Sequence, residues 1–175
     1  LHFTDANTGM AVGEYGAVYR TTNAGNNWDK IFVNDSMDFR DIKFYDANTG
    51  ILLTGYNTGG YIYEPRIYKT TNGGLNWVIK KYHTNLWLFS TAYATSSKVF
   101  VAGERALYKS TDAGETWDTL SGYGFQRYSN TSVVFLDSLT GFVLSAYISG
   151  DYVFCVLKTT DGGETWNQYK INSYH

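Results

Sequence analysis

Short apolar runs recur along the chain, and each ends on a cation just before a polar, glycine-bearing stretch. The runs are Val18-Tyr19-Arg20, Ile67-Tyr68-Lys69, Leu107-Tyr108-Lys109 and Val156-Leu157-Lys158. Further alternating runs, such as Trp77-Val78-Ile79-Lys80-Lys81, stand after the polar stretch. Period-two alternation bounded by Gly, Asn, Asp and Ser predicts strands joined by tight turns, so the expected fold class is all-β.

The polar stretches are four copies of one octapeptide, [ST]-T-[ND]-[AG]-G-x-[NT]-W. Its recurring positions are Thr21, Asn23, Gly25 and Trp28, then Thr70, Asn72, Gly74 and Trp77, then Ser110, Asp112, Gly114 and Trp117, and finally Thr159, Asp161, Gly163 and Trp166. Asn or Asp at the third position suits a turn because its side chain can accept backbone N–H groups ahead of it, and the first-position hydroxyl can do the same. The fifth-position Gly suits a positive φ, and the Trp supplies a large apolar plate. A second landmark precedes each copy: Phe3-Thr4-Asp5-Ala6-Asn7-Thr8-Gly9, Phe44-Tyr45-Asp46-Ala47-Asn48-Thr49-Gly50 and Phe135-Leu136-Asp137-Ser138-Leu139-Thr140-Gly141, with a worn version over Tyr93-Ala94-Thr95-Ser96-Ser97-Lys98. Trp28, Trp77, Trp117 and Trp166 lie 49, 40 and 49 positions apart, spacings that fit four strands per repeat.

These octapeptides resemble the Asp-box, or BNR repeat, S/T-x-D-x-G-x-x-W, with Asn23 and Asn72 where the family prefers Asp. The motif is found in β-propellers of sialidases, xyloglucanase-type glycoside hydrolases, sortilin-type receptors and photosystem II assembly factors. The resemblance implies a propeller of four-stranded antiparallel blades, at about 1–33, 38–82, 86–121 and 129–172. A propeller usually closes with four to eight blades. The expectation is therefore a partial propeller over 1–175, its remaining blades elsewhere in a longer chain or supplied by another copy.

Antiparallel pairing places the first-to-second turns and the octapeptides on one rim. The second-to-third hairpins and the linkers between blades then share the other. Length varies on that second rim: Gly9 to Trp28 spans 19 positions, Gly50 to Trp77 spans 27, and Gly141 to Trp166 spans 25. Variable loops on a regular scaffold are where binding concentrates. The candidate ligand-binding residues are Tyr56, Tyr61, Tyr63 and Arg66 in the second blade, Arg105, Tyr123 and Arg127 in the third hairpin and linker, and Tyr147 and Tyr152 in the fourth blade. Tyrosine brings rigid area and a hydroxyl, suited to sugar stacking or protein recognition. Trp87, in Leu86-Trp87-Leu88-Phe89, reads as a core strand residue.

A net charge of −2 over 175 residues offers no basic footprint for nucleic acid or anionic lipid. No apolar run is long enough for a transmembrane segment. Cys155 is alone, which leaves no disulfide framework, and its strand Tyr152-Val153-Phe154-Cys155-Val156 predicts a buried thiol.

No catalytic residue, cofactor or metal site emerges. Arg20 aligns with Lys69, Lys109 and Lys158 as a repeat position, and Arg40, Arg66, Arg105 and Arg127 show no sialidase pattern. Most acids are repeat residues: Asp5, Asp46 and Asp137 in one turn, Asp112 and Asp161 in the other, and Glu14 and Glu104 in the short hairpins. Asp35, Asp38, Asp41, Glu64 and Asp151 are idiosyncratic, with Asp41 beside Arg40 placed for a central channel and more simply read as a solvated or ion-paired strand residue. Asp5-Ala6-Asn7-Thr8-Gly9 opens like a calcium loop, but its twelfth position is Gly16 where that loop needs Glu. His2, His83 and His175 are scattered.

The reading is a non-catalytic recognition or scaffold module that binds a protein or glycan. The resemblance implies an extracellular or bacterial cell-surface setting, with periplasm or thylakoid lumen as alternatives. A glycoside hydrolase propeller and a photosystem II assembly factor-like propeller are the competing readings.

Overall fold

A computed structural model describes residues 1–33, 37–55, 65–82, 86–120, 122, 125, 128–147 and 154–171. Among the described residues are sixteen strands in four antiparallel sheets, each a meander in chain order. The first sheet is β1 (His2–Phe3), β2 (Gly9–Val12), β3 (Val18–Thr21) and β4 (Asp29–Lys30), and the second is β5 (Phe39–Phe44), β6 (Gly50–Thr54), β7 (Arg66–Thr70) and β8 (Val78–Tyr82). The third is β9 (Leu88–Tyr93), β10 (Val99–Gly103), β11 (Ala106–Ser110) and β12 (Asp118–Leu120), and the fourth is β13 (Tyr128–Phe135), β14 (Gly141–Tyr147), β15 (Phe154–Thr159) and β16 (Asn167–Ile171). The chain divides into two compact units, Leu1–Trp87 and Leu88–His175, each holding two sheets.

Burial along the strands explains the run pattern. In β5 buried Phe39, Ile42 and Phe44 are separated by more accessible positions, whereas β6 and β10 are buried throughout and read as continuous apolar runs. Register breaks in β5 between Phe39 and Asp41 and in β13 between Asn130 and Ser132, as expected of β-bulges. The first unit's core joins Met10, Val18, Phe39, Ile42, Phe44 and Leu52, and the second unit's joins Phe100, Leu107, Phe125, Val133, Leu157 and Trp166.

The landmark Phe and Gly are direct cross-strand partners: Phe3 with Gly9, Phe44 with Gly50, and Phe135 with Gly141. A Cβ on Gly9, Gly50 or Gly141 would lie 2.7, 2.9 and 2.7 Å from the partner ring, so the missing side chain lets the Phe lie flat across its neighbour. The worn third copy substitutes the pair Tyr93 and Val99.

Trp87 corrects the sequence expectation. It precedes β9, in which Leu88 takes the fully buried position, and the alternation leaves Trp87 exposed.

Candidate functional site

Each octapeptide forms the turn from the third strand to the fourth. The first-position hydroxyl accepts the N–H of the fifth-position Gly, at 3.0 Å for Thr21 and Thr70 and 2.8 Å for Ser110 and Thr159. The same hydroxyl donates to the third-position oxygen, at 3.0 Å for Asn23 and Asn72 and 2.7 Å for Asp112 and Asp161. That oxygen accepts the seventh-position N–H, from Asn27 at 2.9, Asn76 at 3.0, Thr116 at 2.9 and Thr165 at 3.0 Å. In the two Asp copies the second carboxylate oxygen also accepts the hydroxyl of Thr116 or Thr165. This explains a covariation within the chain: Asp goes with Thr four residues on, Asn with Asn.

These bonds set the charge state. Loss of solvent works upward on Asp112, but donors from Thr116, Ser110 and Glu115 together outweigh it and hold the carboxyl at about 2. Asp161 is held below the usual carboxylate range by the Thr165 hydroxyl first, then by the Thr165 N–H and Thr159. Positive φ extends beyond the expected fifth position: Ala24 and Ala113 at 59°, Gly73 at 68° and Gly162 at 73° occupy the fourth. From there the backbone N–H docks each octapeptide on its own first-to-second turn, donating to Asn7, Asn48, Ser97 and Leu139 carbonyls at 2.9, 2.9, 2.7 and 2.8 Å. Those turns are themselves held by Asp5, Asp46 and Asp137, each accepting two N–H groups, with Thr95 accepting one in the worn copy.

Neighbouring sheets in each unit meet at the octapeptide. A Cβ on Gly74 would collide with Met10 and one on Gly163 with Phe100, so the fifth-position Gly also admits a side chain from the preceding sheet. Arg20 Nε donates to the Gly73 carbonyl at 3.2 Å, and Lys98 Nζ donates to that of Gly162 at 3.1 Å. Glu164 pairs with Lys109 at 2.7 Å and Lys98 at 3.1 Å. The repeat cations Arg20 and Lys109, and Lys98 beside them, thus join the two sheets within each unit.

The opposite rim carries the hairpins and linkers. In the first unit the buried Asp38 carboxylate accepts the Tyr15 N–H at 2.9 Å, and Phe39 N–H donates to Gly13 at 2.9 Å, fixing the first hairpin. In the second unit the buried Asn130 amide donates to the Gly103 and Ala106 carbonyls, both at 3.1 Å, and its oxygen accepts the Ser145 hydroxyl at 2.7 Å. Of the candidate ligand residues, Arg66 opens β7, its N–H bonded to Thr54 Oγ1 at 2.7 Å. Arg105 lies at the tip of the third hairpin with φ 54° and its Nε 4.0 Å from Glu104. Tyr147 ends β14. Tyr56, Tyr61, Tyr63, Tyr123, Arg127 and Tyr152 lie outside the described residues, as do Asp35, Glu64, Asp151, His83 and His175.

Two aromatic residues on this rim escaped the sequence reading. Tyr15, at the first hairpin tip with φ 55°, is 75 % exposed, and Phe32, in the following linker, is 84 % exposed. The signal for Tyr15 was its place between Glu14 and Gly16 in a two-sided turn; for Phe32 it was one outward position in the run Ile31-Phe32-Val33. Asp38 has a structural task as the support of Tyr15, and Asp41 accepts the N–H of Ile42 at 2.9 Å. Among the described residues no group of three or more His, Cys, Asp or Glu side chains is placed to hold a metal ion.

No protein-family model matches the sequence, and no curated protein matches it. Solved structures are similar in fold. An ancestral GH74 enzyme aligns with a TM-score of 0.75 and 18 % identity, over 96 % of this chain and 25 % of its own. The GH74 xyloglucanase from Xanthomonas campestris aligns with a TM-score of 0.64 and 14 % identity, over 91 % of this chain and 27 % of its own. YCF48 bound to a D1 peptide aligns with a TM-score of 0.57 and 14 % identity, over 95 % of this chain and 80 % of its own. The four sheets are therefore blades of the β-propeller type, and the chain spans about a quarter of the length of the two GH74 chains.

Proposed function

We propose that this chain is a non-catalytic recognition module built of Asp-box blades, from a secreted or cell-surface protein, and that it binds a protein partner through the rim of hairpins and linkers. The observation that carries this reading is the division of labour between the rims. On the octapeptide rim the recurring hydroxyls and third-position oxygens are engaged in holding turns. The other rim exposes Tyr15 on a hairpin whose tip is held by Asp38, and Phe32 on the following linker. A rigidly mounted aromatic gives contact area at little entropic cost. The similarity to YCF48, whose structure holds a D1 peptide, favours a protein segment over a glycan. The extracellular setting rests on the Asp-box resemblance.

The test is a screen of the chain against peptide and glycan arrays, followed by titration of the hits. The expected result is a peptide ligand whose binding weakens about tenfold with Tyr15→Ala or Tyr61→Ala and is unchanged by Leu75→Ser on the octapeptide rim. The reading fails if Leu75→Ser abolishes binding while the tyrosine variants bind normally. It also fails if the chain cleaves xyloglucan and Asp41→Asn removes that cleavage.

A further inference from the structure

The second octapeptide carries the chain's one Asn-Gly dipeptide, Asn72-Gly73. Its counterparts in the other copies are Asn23-Ala24, Asp112-Ala113 and Asp161-Gly162. Asparagine before glycine is chemically labile, because glycine has no Cβ to shield its nitrogen from the asparagine side-chain carbon. The nitrogen can close on that carbon, and the side-chain amide then leaves as ammonia. Whether it does so depends on where the turn directs the two groups.

The folded turn commits both reacting groups elsewhere. Gly73 N–H donates to the Asn48 carbonyl at 2.9 Å, and Gly73 is buried although Asn72 is exposed. Water therefore reaches the amide but not the proton that has to leave the nitrogen. Asn72 Oδ1 accepts the Thr70 hydroxyl and the Asn76 N–H, both at 3.0 Å, which fixes the side chain within the turn. Glycine is what this corner takes: Gly73 has a φ of 68°, and a Cβ on it would lie 3.1 Å from the Ala47 carbonyl oxygen. On its far side the Gly73 carbonyl accepts Arg20 Nε at 3.2 Å, and Gly74 makes room for Met10 of the preceding sheet. The labile dipeptide thus stands where the two sheets of the first unit meet.

We propose that Asn72 is a latent modification site, guarded while its octapeptide is docked and released when the turn opens. On opening, Gly73 N bonds to Asn72 Cγ as the Cγ–Nδ2 bond breaks, and the proton of the nitrogen leaves with the amide as ammonia. Water then opens the succinimide ring at one of two bonds. Breaking the bond from Cγ to the nitrogen leaves an ordinary main chain with an aspartate side chain. Breaking the bond from the main-chain carbonyl to the nitrogen leaves isoaspartate, whose main chain runs through the side-chain carbon. The two products differ in their effect on the joint. Aspartate before glycine already builds this turn at Asp161-Gly162, where the Gly162 N–H reaches the Leu139 carbonyl at 2.8 Å. Isoaspartate adds a methylene to the main chain, so the bonds of Gly73 to Asn48 and Arg20 lose their register with the Thr70 clasp. Each opening of the turn thereby risks an irreversible weakening of the first unit. The site lies apart from the proposed recognition rim and does not rest on that reading.

The experiment is peptide mapping by mass spectrometry of the 175-residue chain aged in mildly alkaline buffer, beside the free peptide of residues 70–77. In native buffer Asn72 is expected to convert about tenfold or more slowly than in the peptide, and in unfolding urea at the peptide's rate, because reaction then no longer waits for opening. Equal rates in the native chain and the peptide overturn the proposal, and so does a slow native rate that urea leaves unchanged. The two products are then separated and refolded, with Asn72→Asp as the reference for the added charge alone. The aspartate product is expected to share the urea midpoint of that variant, and the isoaspartate product to unfold at lower urea or fail to refold. An isoaspartate chain with the midpoint of Asn72→Asp overturns the assigned effect on the joint.

Discussion

At the residue scale the octapeptide is a closed set of short bonds, and its positions differ in what they tolerate. Ala113 holds a φ of 59°, where a Cβ is strained. Ala113→Gly is expected to stabilise the fold by about 0.5–1 kcal/mol in urea unfolding, the usual gain from removing such strain. The reverse change at Gly162 meets a second obstacle, because a Cβ there would lie 2.8 Å from the Ser138 carbonyl oxygen. Gly162→Ala is expected to cost about 1–3 kcal/mol by the same measurement. Asp112 adds a pH dependence of defined sign. Its folded pKa of about 2 lies below that of an unfolded Asp, so its stabilising effect is complete above about pH 4 and is lost as pH falls toward 2. Asp112→Asn is expected to flatten that limb of a pH series of unfolding midpoints; an unchanged limb would place the acid sensitivity elsewhere.

Among elements, the strongest constraints are pairs that local pattern does not connect. Phe44 lies across Gly50 and reaches Trp77, and shares a core cluster with Met10 of the preceding sheet. Gly50→Ala would put a Cβ 2.9 Å from the Phe44 ring, and an expected loss of about 1–3 kcal/mol follows from pushing that ring off its neighbours. Asn130 plays a comparable part on the other rim, as a fully buried amide bridging a hairpin and the following blade. Asn130→Leu is expected to destabilise the second unit by about 2–3 kcal/mol, because carbonyls of Gly103 and Ala106 and the Ser145 hydroxyl lose their partner without access to water. Urea unfolding followed by fluorescence checks both.

On the scale of the whole molecule, the proposed recognition surface lies apart from the octapeptide turns, so a change such as Leu75→Ser is expected to leave it undisturbed. Cys155 supplies a probe of how the second unit opens. The thiol is fully buried, and burial raises its pKa against opposing contacts with Gln168 and Ser145. Its modification by a disulfide reagent is expected to be slow in native buffer and to accelerate in step with unfolding in urea; rapid native labelling would show local opening of β15.

What the sequence determined by itself is the part of the structure made of short-range bonds. The octapeptide turn closes over at most four residues, through the hydroxyl of Thr21, Thr70, Ser110 or Thr159 and the oxygen two positions on, so its chemistry can be read from eight letters. The meander order followed for the same reason, since consecutive strands joined by such turns pair with each other. The candidate site was less legible: the lengthened loops marked a rim, yet Tyr15 and Phe32 carried no repeat signal and Trp87 was misplaced by one step of a period-two pattern. Only the tertiary structure decided that Gly74 admits Met10, that Gly163 admits Phe100, and that Asp38 and Asn130 brace hairpins distant in sequence. Those contacts depend on how blades stack, and a local pattern of apolar and polar residues specifies which face of a strand is buried without specifying against what.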